Sequence, residues 1–298
     1  MLSLRHYEVL VILAEELHFG RAADILNISQ PQLTQLLKQM EEMIGTILFE
    51  RNRRKVSIAP AGRILLPEAR AVLRHAKRAE QVAFGAGRGM IGELALGYIG
   101  AAAYSGVLTR LIRQFREKAP NTRLKLTLMD LDRQIPEVSA GNLDAGIVRL
   151  PYPDMPNNVV SRTLCHERLW IALPKDHPLA AAEIPVRLAD LGREQFVATH
   201  LSQGYGFAAS MHQACAQAGI TPDIVHRSPQ FASIVSFVAA GLGVAVVPDS
   251  IQHAHIQGVI YKPLMDVEER ANISLVYQKN THSPALDLFL SCLEDCPS

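Results

Sequence analysis

The sequence predicts an α/β protein in three parts: an N-terminal winged helix-turn-helix, a long linker helix, and a larger C-terminal α/β region of two lobes. Three observations predict it. Short helical apolar stripes crowd the first sixty residues, a 3.5-residue seam follows Pro60, and strand and helix patterns alternate from about Ile91 onward. The chain has 298 residues, which suits two or three compact domains, and its 48% hydrophobic content supports sizeable cores. Net charge is +1, but its distribution is uneven. Residues 1–90 carry 13 Lys and Arg against 9 Asp and Glu, or +4, and the remainder carries 17 against 20, or −3. A basic front and an acidic back suit an anionic partner at one end only.

Taking the elements in order, Leu4, Tyr7, Leu10, Ile12, Leu13 and Leu17 form a helical apolar stripe over about 4–17. Gly20 permits a turn. Ala22, Ala23 and Leu26 then mark a second, short helix whose small residues let a neighbour pack closely. "NIS" ends it, and "SQPQLTQLLKQME" begins the third. Ser29 is a good N-cap, and Gln32 three residues on completes a capping box. Ile28 and Leu33 occupy the positions of a hydrophobic staple, and Pro31 lies in the first turn, where a missing N–H costs little. Leu33, Leu36, Leu37 and Met40 recur at helical spacing and predict a core-facing stripe.

The opposite face is Pro31, Thr34, Gln35 and Lys38, with Gln39 at its edge and Gln30 and Gln32 at its start. It is polar and nearly uncharged, so it offers donors and acceptors rather than solubility charge. Gln can pair bidentately with adenine, Thr brings a hydroxyl and a methyl, and Lys can reach guanine or phosphate. Helix, tight turn and helix with such a face is the helix-turn-helix arrangement. An ordinary solvated helix in a small bundle accounts for the same face. The next stretch, "LFERNRRKVSIAPAGR", carries a basic tip of Arg51, Arg53, Arg54 and Lys55 between two short apolar runs. That pattern suggests a two-stranded wing whose cations meet phosphates, each contact releasing counterions. A plain basic loop is the other reading.

"FGRAADILNISQPQLTQLLKQMEEMIGTILFERNRRKVSIAPAG" resembles the N-terminal domain of LysR-type transcriptional regulators. The shared pattern is A-A-x-x-L-x-[IL]-S-Q-P-x-[LV]-[ST]-x-x-[IL]-x-x-[LM]-E, then L-G-x-x-L-F-x-R and T-x-x-G. Ile44-Gly45 replaces the usual Leu-Gly, Gln35 a frequent Arg, and Ala59 the usual Thr. The last change removes an N-cap side chain worth about 1 kcal/mol. The resemblance implies double-stranded DNA as partner, read by the helix-turn-helix over 1–59.

Pro60 opens a helix running to about 82–84. Leu65, Ala69, Val72, Ala76, Ala79 and Ala83 are spaced 4-3-4-3-4, a seam for a partner helix or for the chain's own domain. The resemblance implies the former: linker helices over 60–89 pairing into a homodimer or homotetramer. "GAGRGMIG" breaks the helix. It precedes a strand instead of following one, so it is a hinge and not a dinucleotide loop.

From about Ile91, "ELALGYIG", "RLKLTLMD", "AGIVRL", "RLWIAL", "QFVAT", "DIVHR" and "GVAVVP" read as strands, with helical stretches between them. The alternation predicts mainly parallel sheets in two lobes. "PNTRLKL", "GNLDAGIV", "HPLA" and "VAAGLGVAVVP" resemble the family's effector domain, which is similar to periplasmic binding proteins. That likeness implies a regulatory domain over 90–298, lobe I at about 91–163 and 266–298, and lobe II at about 164–265.

Two-lobed α/β domains bind small molecules in the crevice at strand C-termini. Position therefore nominates Ala101, Ala102, Ala103, Tyr104 and Ser105 as an amide cradle for an anion. Thr199, His200, Ser202 and Gln203 follow another strand, with Tyr205 and Phe207 able to pack on a ring. Gln230 starts a helix, and Val247 and Pro248 end the strand "GVAVVP". Arg149 ends "AGIVRL" and suits a carboxylate. The expected effector is a small carboxylate, with an aromatic acid as the narrower expectation from the resemblance. Turn chemistry and ordinary packing explain each residue taken singly.

The four cysteines, Cys165, Cys215, Cys292 and Cys296, form no C-x-x-C pair. No apolar run approaches the roughly 20 residues of a membrane helix, and no signal peptide is read, so a soluble cytoplasmic protein is expected. No metal or cofactor is expected either: His253 and His255 lack a third ligand, and neither G-x-S-x-G nor a P-loop occurs. An α/β small-molecule enzyme with a helical dimerisation module is the competing function. It lacks a recognisable nucleophile or acid–base pair, so no enzyme is expected.

Overall fold

The computed structural model describes residues 1–52, 55–86, 92–181, 186–280 and 283–293. The chain divides into two compact units, Met1–Gly89 and Met90–Ser298.

In the first unit, α1 (Leu4–Glu16), α2 (Phe19–Ile25) and α3 (Gln30–Ile44) enclose one core with β1 (Phe49–Asn52), β2 (Lys55–Ile58) and the start of α4 (Pro60–Ala86). Of the stripe expected on the first helix, Leu10 and Leu13 are buried but Leu4 and Leu17 are exposed, and Val9, outside that stripe, is buried with them. The turn after α1 is not at Gly20, which lies inside α2. Leu17 takes the left-handed conformation, and His18 caps α2 by accepting from the Arg21 amide. Asn27, at φ 53°, turns the chain from α2 into α3.

The third helix follows its pattern closely. The Ser29 amide donates to Gln32 Oε1 at 2.9 Å, and the Gln32 amide donates to Ser29 Oγ at 3.4 Å. Leu33, Leu37 and Met40 are fully buried. Each contributes about 1.5–3 kcal/mol as an upper estimate. Gly45, at φ 81°, caps the C-terminus. The Glu41 carboxylate then accepts from the Leu48 and Phe49 amides at 2.7 and 3.2 Å, fixing the root of the wing to α3. The wing strands pair antiparallel from Phe49 opposite Ile58 to Asn52 opposite Lys55. In α4, Ala69 is fully buried in this unit's own core, whereas Ala79 and Ala83 are exposed.

The second unit contains β3 (Glu93–Tyr98), α5 (Ala101–Tyr104), α6 (Val107–Lys118), β4 (Arg123–Leu128), α7 (Leu131–Ser139), β5 (Ala145–Arg149) and the long β6 (Val159–Pro174). These are followed by α8 (Pro178–Ala181), β7 (Gln195–Thr199), α9 (Gly206–Gln217), β8 (Asp223–Ser228), α10 (Phe231–Ala239), β9 (Ala245–Pro248), β10 (Val259–Pro263), β11 (Arg270–Gln278) and α11 (Pro284–Ser291). A seven-stranded sheet runs β10-β6-β11-β5-β3-β4, with β9 also on β6. Among the described residues, only β3 with β4, β3 with β5, and β7 with β8 are parallel ladders. The expectation of mainly parallel sheets is corrected here. Strands β6 and β11 lie antiparallel to each other and to their neighbours, so the sheet is mixed.

Side-chain alternation sends successive strand residues to opposite faces. Leu94, Leu96, Ile147 and Leu275 pack with α6 and α11, where Phe115 and Phe289 meet edge to face at 5.5 Å. Val148 and Val276 pack with α7 on the other side. A third core gathers α9, α10, β7 and β9 around the far half of β6. Gly97 and Gly146 let α7 sit close: a Cβ on either would lie 2.8 or 2.6 Å from Gln134 Oε1. The Gln134 amide nitrogen donates to the Met129 and Ile147 carbonyls at 2.7 and 3.3 Å, locking the helix to the sheet.

Replacing Leu37 with Ala should destabilise the first unit by about 2–5 kcal/mol, while Gln35→Ala should stay within about 0.5 kcal/mol. Urea denaturation of the two variants checks this. Equal losses would mean that the two faces of α3 are not distinct.

Candidate functional sites

On α3, Gln30, Pro31, Gln32, Gln35 and Lys38 are exposed and Thr34 is half-buried, opposite the fully buried leucines. The helix therefore presents one continuous polar face at its N-terminal end. Gln32 is less free than its neighbours, because its Oε1 serves the Ser29 amide and hydroxyl. Lys38 lies 3.5 Å from Glu42, and both are well exposed. Such a pair contributes little. Arg51 and Lys55 occupy facing wing strands, opposite Val56 and Asn52. Arg53 and Arg54, the tip of the wing, lie outside the described residues.

The second unit contains a half-open crevice with about 510 Å³ of atom-free space, its mouth included. Six of the nominated residues line it: Ala101, Arg149, Thr199, His200, Phe207 and Gln230. Ile99, Gly100, Asp130, Leu131, Leu201, Gly206, Pro229 and Phe231 complete the lining and were not nominated. Most of these follow β3, β4, β7 or β8 directly or begin a helix. Applying the strand-end rule to every strand, β4 included, would have found Asp130 and Leu131. Starts of α7, α9 and α10 all contribute to the wall.

The remaining nominees lie elsewhere. Ala102 is fully buried in the β3–α6 core, and Ala103 is exposed. The amides of Ala102, Ala103 and Ser105 donate to the carbonyls of Ile99, Gly100 and Ala101. Three of the five donors expected to cradle an anion are therefore spent within this turn. The Tyr104 carbonyl faces His253 Nδ1 at 3.3 Å, and Ser105 Oγ donates to the Ala102 carbonyl. Ser202 and Gln203 are exposed on the turn before α9. Tyr205 donates to Asp154 and packs edge-on to Tyr152, away from the lining. Its hydroxyl pKa is raised chiefly by that hydrogen bond. Val247 and Pro248 pair with Trp170 and Leu169 on β6, and Val247 is fully buried in the core.

Arg149 is in the wall but is not a free cation. Its Nη2 is paired with Glu167 Oε2, and its Nη1 donates to the Ala271 carbonyl at 3.2 Å. The guanidinium carbon stands 5.6 Å from the centre of the Phe207 ring. Both side chains of the ion pair are buried, 4% and 5% exposed. Arg149 Nε and Thr199 Oγ1 are buried polar atoms with no partner. An entering carboxylate would give up several kcal/mol of hydration. A helix N-terminus returns only about 0.3–1 kcal/mol, up to about 2 in a favourable partly buried geometry.

Among the described residues, no group of His, Cys, Asp and Glu is arranged to hold a metal ion, and no helix is long and apolar enough to cross a membrane. Cys165 and Cys215 are free thiols, the Cys292 thiol donates to the Leu288 carbonyl at 3.4 Å, and Cys296 lies outside the described residues. Burial pushes Cys215 up to about 11. Cys165 is also raised, first by burial and then by Glu167. Neither is the acidic thiol that redox chemistry requires.

A family model described as "LysR substrate binding domain" matches residues 87–296. Another, described as "Bacterial regulatory helix-turn-helix protein, lysR family", matches residues 4–63. The HTH-type transcriptional regulator AlsR of Bacillus subtilis is 32% identical over 289 residues, covering 97% of this chain and 94% of AlsR. The HTH-type transcriptional regulator TdfR of Cupriavidus pinatubonensis is likewise 32% identical, covering 97% of each chain. Among solved structures, full-length CbnR in complex with its target DNA aligns with a TM-score of 0.77 at 24% identity, over 98% of this chain and 99% of that one. This last match is a likeness of fold.

Two outcomes test the crevice geometry. Arg149→Ala should destabilise the second unit by about 3–5 kcal/mol, because it leaves Glu167 buried without its cation; a urea transition within 1 kcal/mol of the parent (roughly the worth of an exposed pair) would contradict the burial. At pH 8 Cys215, with its pKa near 11, carries little thiolate. Iodoacetamide should leave it unmodified in the native protein and label it after denaturation. Equal labelling rates in the two states, read by peptide mapping, would contradict the assignment.

Proposed function

The chain belongs to the LysR family of bacterial transcriptional regulators, which are not enzymes, and from that premise we propose how its parts divide the work. Residues 1–59 are the DNA-binding head, 60–89 the linker through which copies pair into a homodimer or homotetramer, and 90–298 the effector domain. Lobe I of that domain comprises about 91–163 with 266–298, and lobe II about 164–265.

The observation that carries the DNA reading is the two-sidedness of α3. One side is sealed into the core, and the other exposes Pro31, Gln35 and Lys38, with Thr34 half-exposed. That side enters the major groove, where Gln35 and Thr34 address base edges. Gln30, Gln32 and Lys38 flank the contact. Arg51, Arg53, Arg54 and Lys55 of the wing hold phosphates and set register without reading sequence. Fixing the wing root to α3 through Glu41 keeps these two contacts in constant relation.

A small-molecule effector occupies the crevice of the second unit, where residues after β3, β4, β5, β7 and β8 converge. Binding there favours one arrangement of the lobes and so one arrangement of paired reading heads. The effector expected from the sequence is a small carboxylate, with an aromatic acid as the narrower form. A molecule of that size suits the apolar walls formed by Leu131, Phe207 and Phe231, but Arg149, the cation that nominated an acid, is already paired.

Mobility-shift titrations against the protein's own promoter region and against random DNA test the DNA roles. Gln35→Ala should cost about 1–3 kcal/mol on the specific site and little on random sequence. Arg53→Ala should weaken binding to both and lower the salt slope by about 1. If both variants lose affinity equally on both DNAs, the division between base reading and phosphate contact is wrong.

A further inference from the structure

We propose that the crevice selects an uncharged ligand: a small apolar body carrying a carbonyl group, of the carboxamide class, in preference to the carboxylate of the same shape. The inference rests on the reading of this crevice as the effector site and names the chemistry that the site takes.

Charge carries the argument. The Arg149 guanidinium is buried and already neutralised by Glu167, itself only 4% exposed. Asp130, at the end of β4 where α7 starts, adds a second carboxylate to the neighbourhood. No described lining residue supplies another permanent cation, and His200 is exposed. Within its lining an acid meets two carboxylates against one guanidinium, and it must leave water to do so; the nearby Arg227 is solvent-exposed and donates to the Thr199 carbonyl at 3.0 Å.

Hydrogen-bonding capacity points the same way. Arg149 Nε keeps one unused donor on the β5 side of the crevice, and Thr199 Oγ1 one unused hydroxyl on the β7 side. A carboxamide offers its carbonyl oxygen to either of these donors and its N–H groups to the Asp130 carboxylate. A carboxylate has acceptors alone, so it can serve the two donors but only repels Asp130. The helix starts around the crevice favour the negative end of a carbonyl dipole as they favour an anion. The start of α7, however, already has Asp130 beside it. Leu131, Phe207 and Phe231 supply apolar surface for the remainder of the ligand.

Calorimetry on the full chain at neutral pH tests this with matched pairs: benzamide against benzoate, cinnamamide against cinnamate, and hexanamide against hexanoate. The amide should bind about tenfold more tightly than its acid in at least one pair, the worth of one well-made hydrogen bond. An acid binding more tightly than its own amide would overturn the inference, as would the absence of binding by every member at millimolar concentration. Glu167→Gln should reverse the order within the binding pair by restoring the charge of Arg149, and an unchanged ratio in the folded variant would count against the proposal. Asp130→Asn leaves the Arg149–Glu167 pair intact, so it serves where the glutamine variant does not fold. It should cut the amide's advantage over its acid about tenfold; an unchanged ratio would also overturn the inference. Specific DNA binding by the parent protein is measured separately. If it persists while acids are preferred, this inference fails and the regulatory reading stands.

Discussion

The second unit depends on a buried ion pair. Arg149 at the end of β5 reaches Glu167 on β6 and, on the way, the Ala271 carbonyl of β11. One guanidinium thus ties together three adjacent strands of the sheet. Two of them, β6 and β11, are the long antiparallel strands about which the unit is organised. Neither charge tolerates this burial alone. Desolvating an unpaired carboxylate or guanidinium costs more than most single contacts in a domain return. The pair therefore enforces the relation of β5, β11 and β6, and that relation places the residues after β5 beside those after β7. The crevice is a by-product of this constraint, and so is its charge balance.

A different economy governs the first unit. The fifteen residues of α3 meet two demands at once. Leu33, Leu37 and Met40 hold the small core together, while the opposite side is left polar and available. The capping box, the N-terminal proline and the Gly45 cap stabilise the helix locally, so its outer side chains need not. Glu41 extends that rigidity to the wing by accepting two of its amides. A surface assembled this way keeps its geometry before any partner arrives, which lowers the entropy lost on binding.

Much of this was legible in residue spacing. The third helix, its cap, its buried stripe and its polar face follow from 3.6-residue periodicity and short-range hydrogen bonding, both local. Local rules faltered where two solutions were sterically open. The turn before α2 falls at Leu17 and His18, because the His18 ring can cap the helix, although Gly20 was the freer residue. In the second unit, strand ends were found from the pattern, and six nominated residues do meet in one crevice. Val247 was indistinguishable in sequence from a crevice residue. Only its pairing with Trp170 shows that it points into the core.

By itself, the sequence determined the order and type of most elements, the two faces of α3 and the membership of the family, since each is written in short-range spacing or in a gapless motif. Tertiary structure alone decided which strands run antiparallel, which side chains reach the crevice and what charge it carries. The reason is distance along the chain. Arg149 and Glu167 are 18 residues apart, and Arg149 and Ala271 are 122 apart. No local pattern records that the one cation nominated for an acid already has a carboxylate of its own.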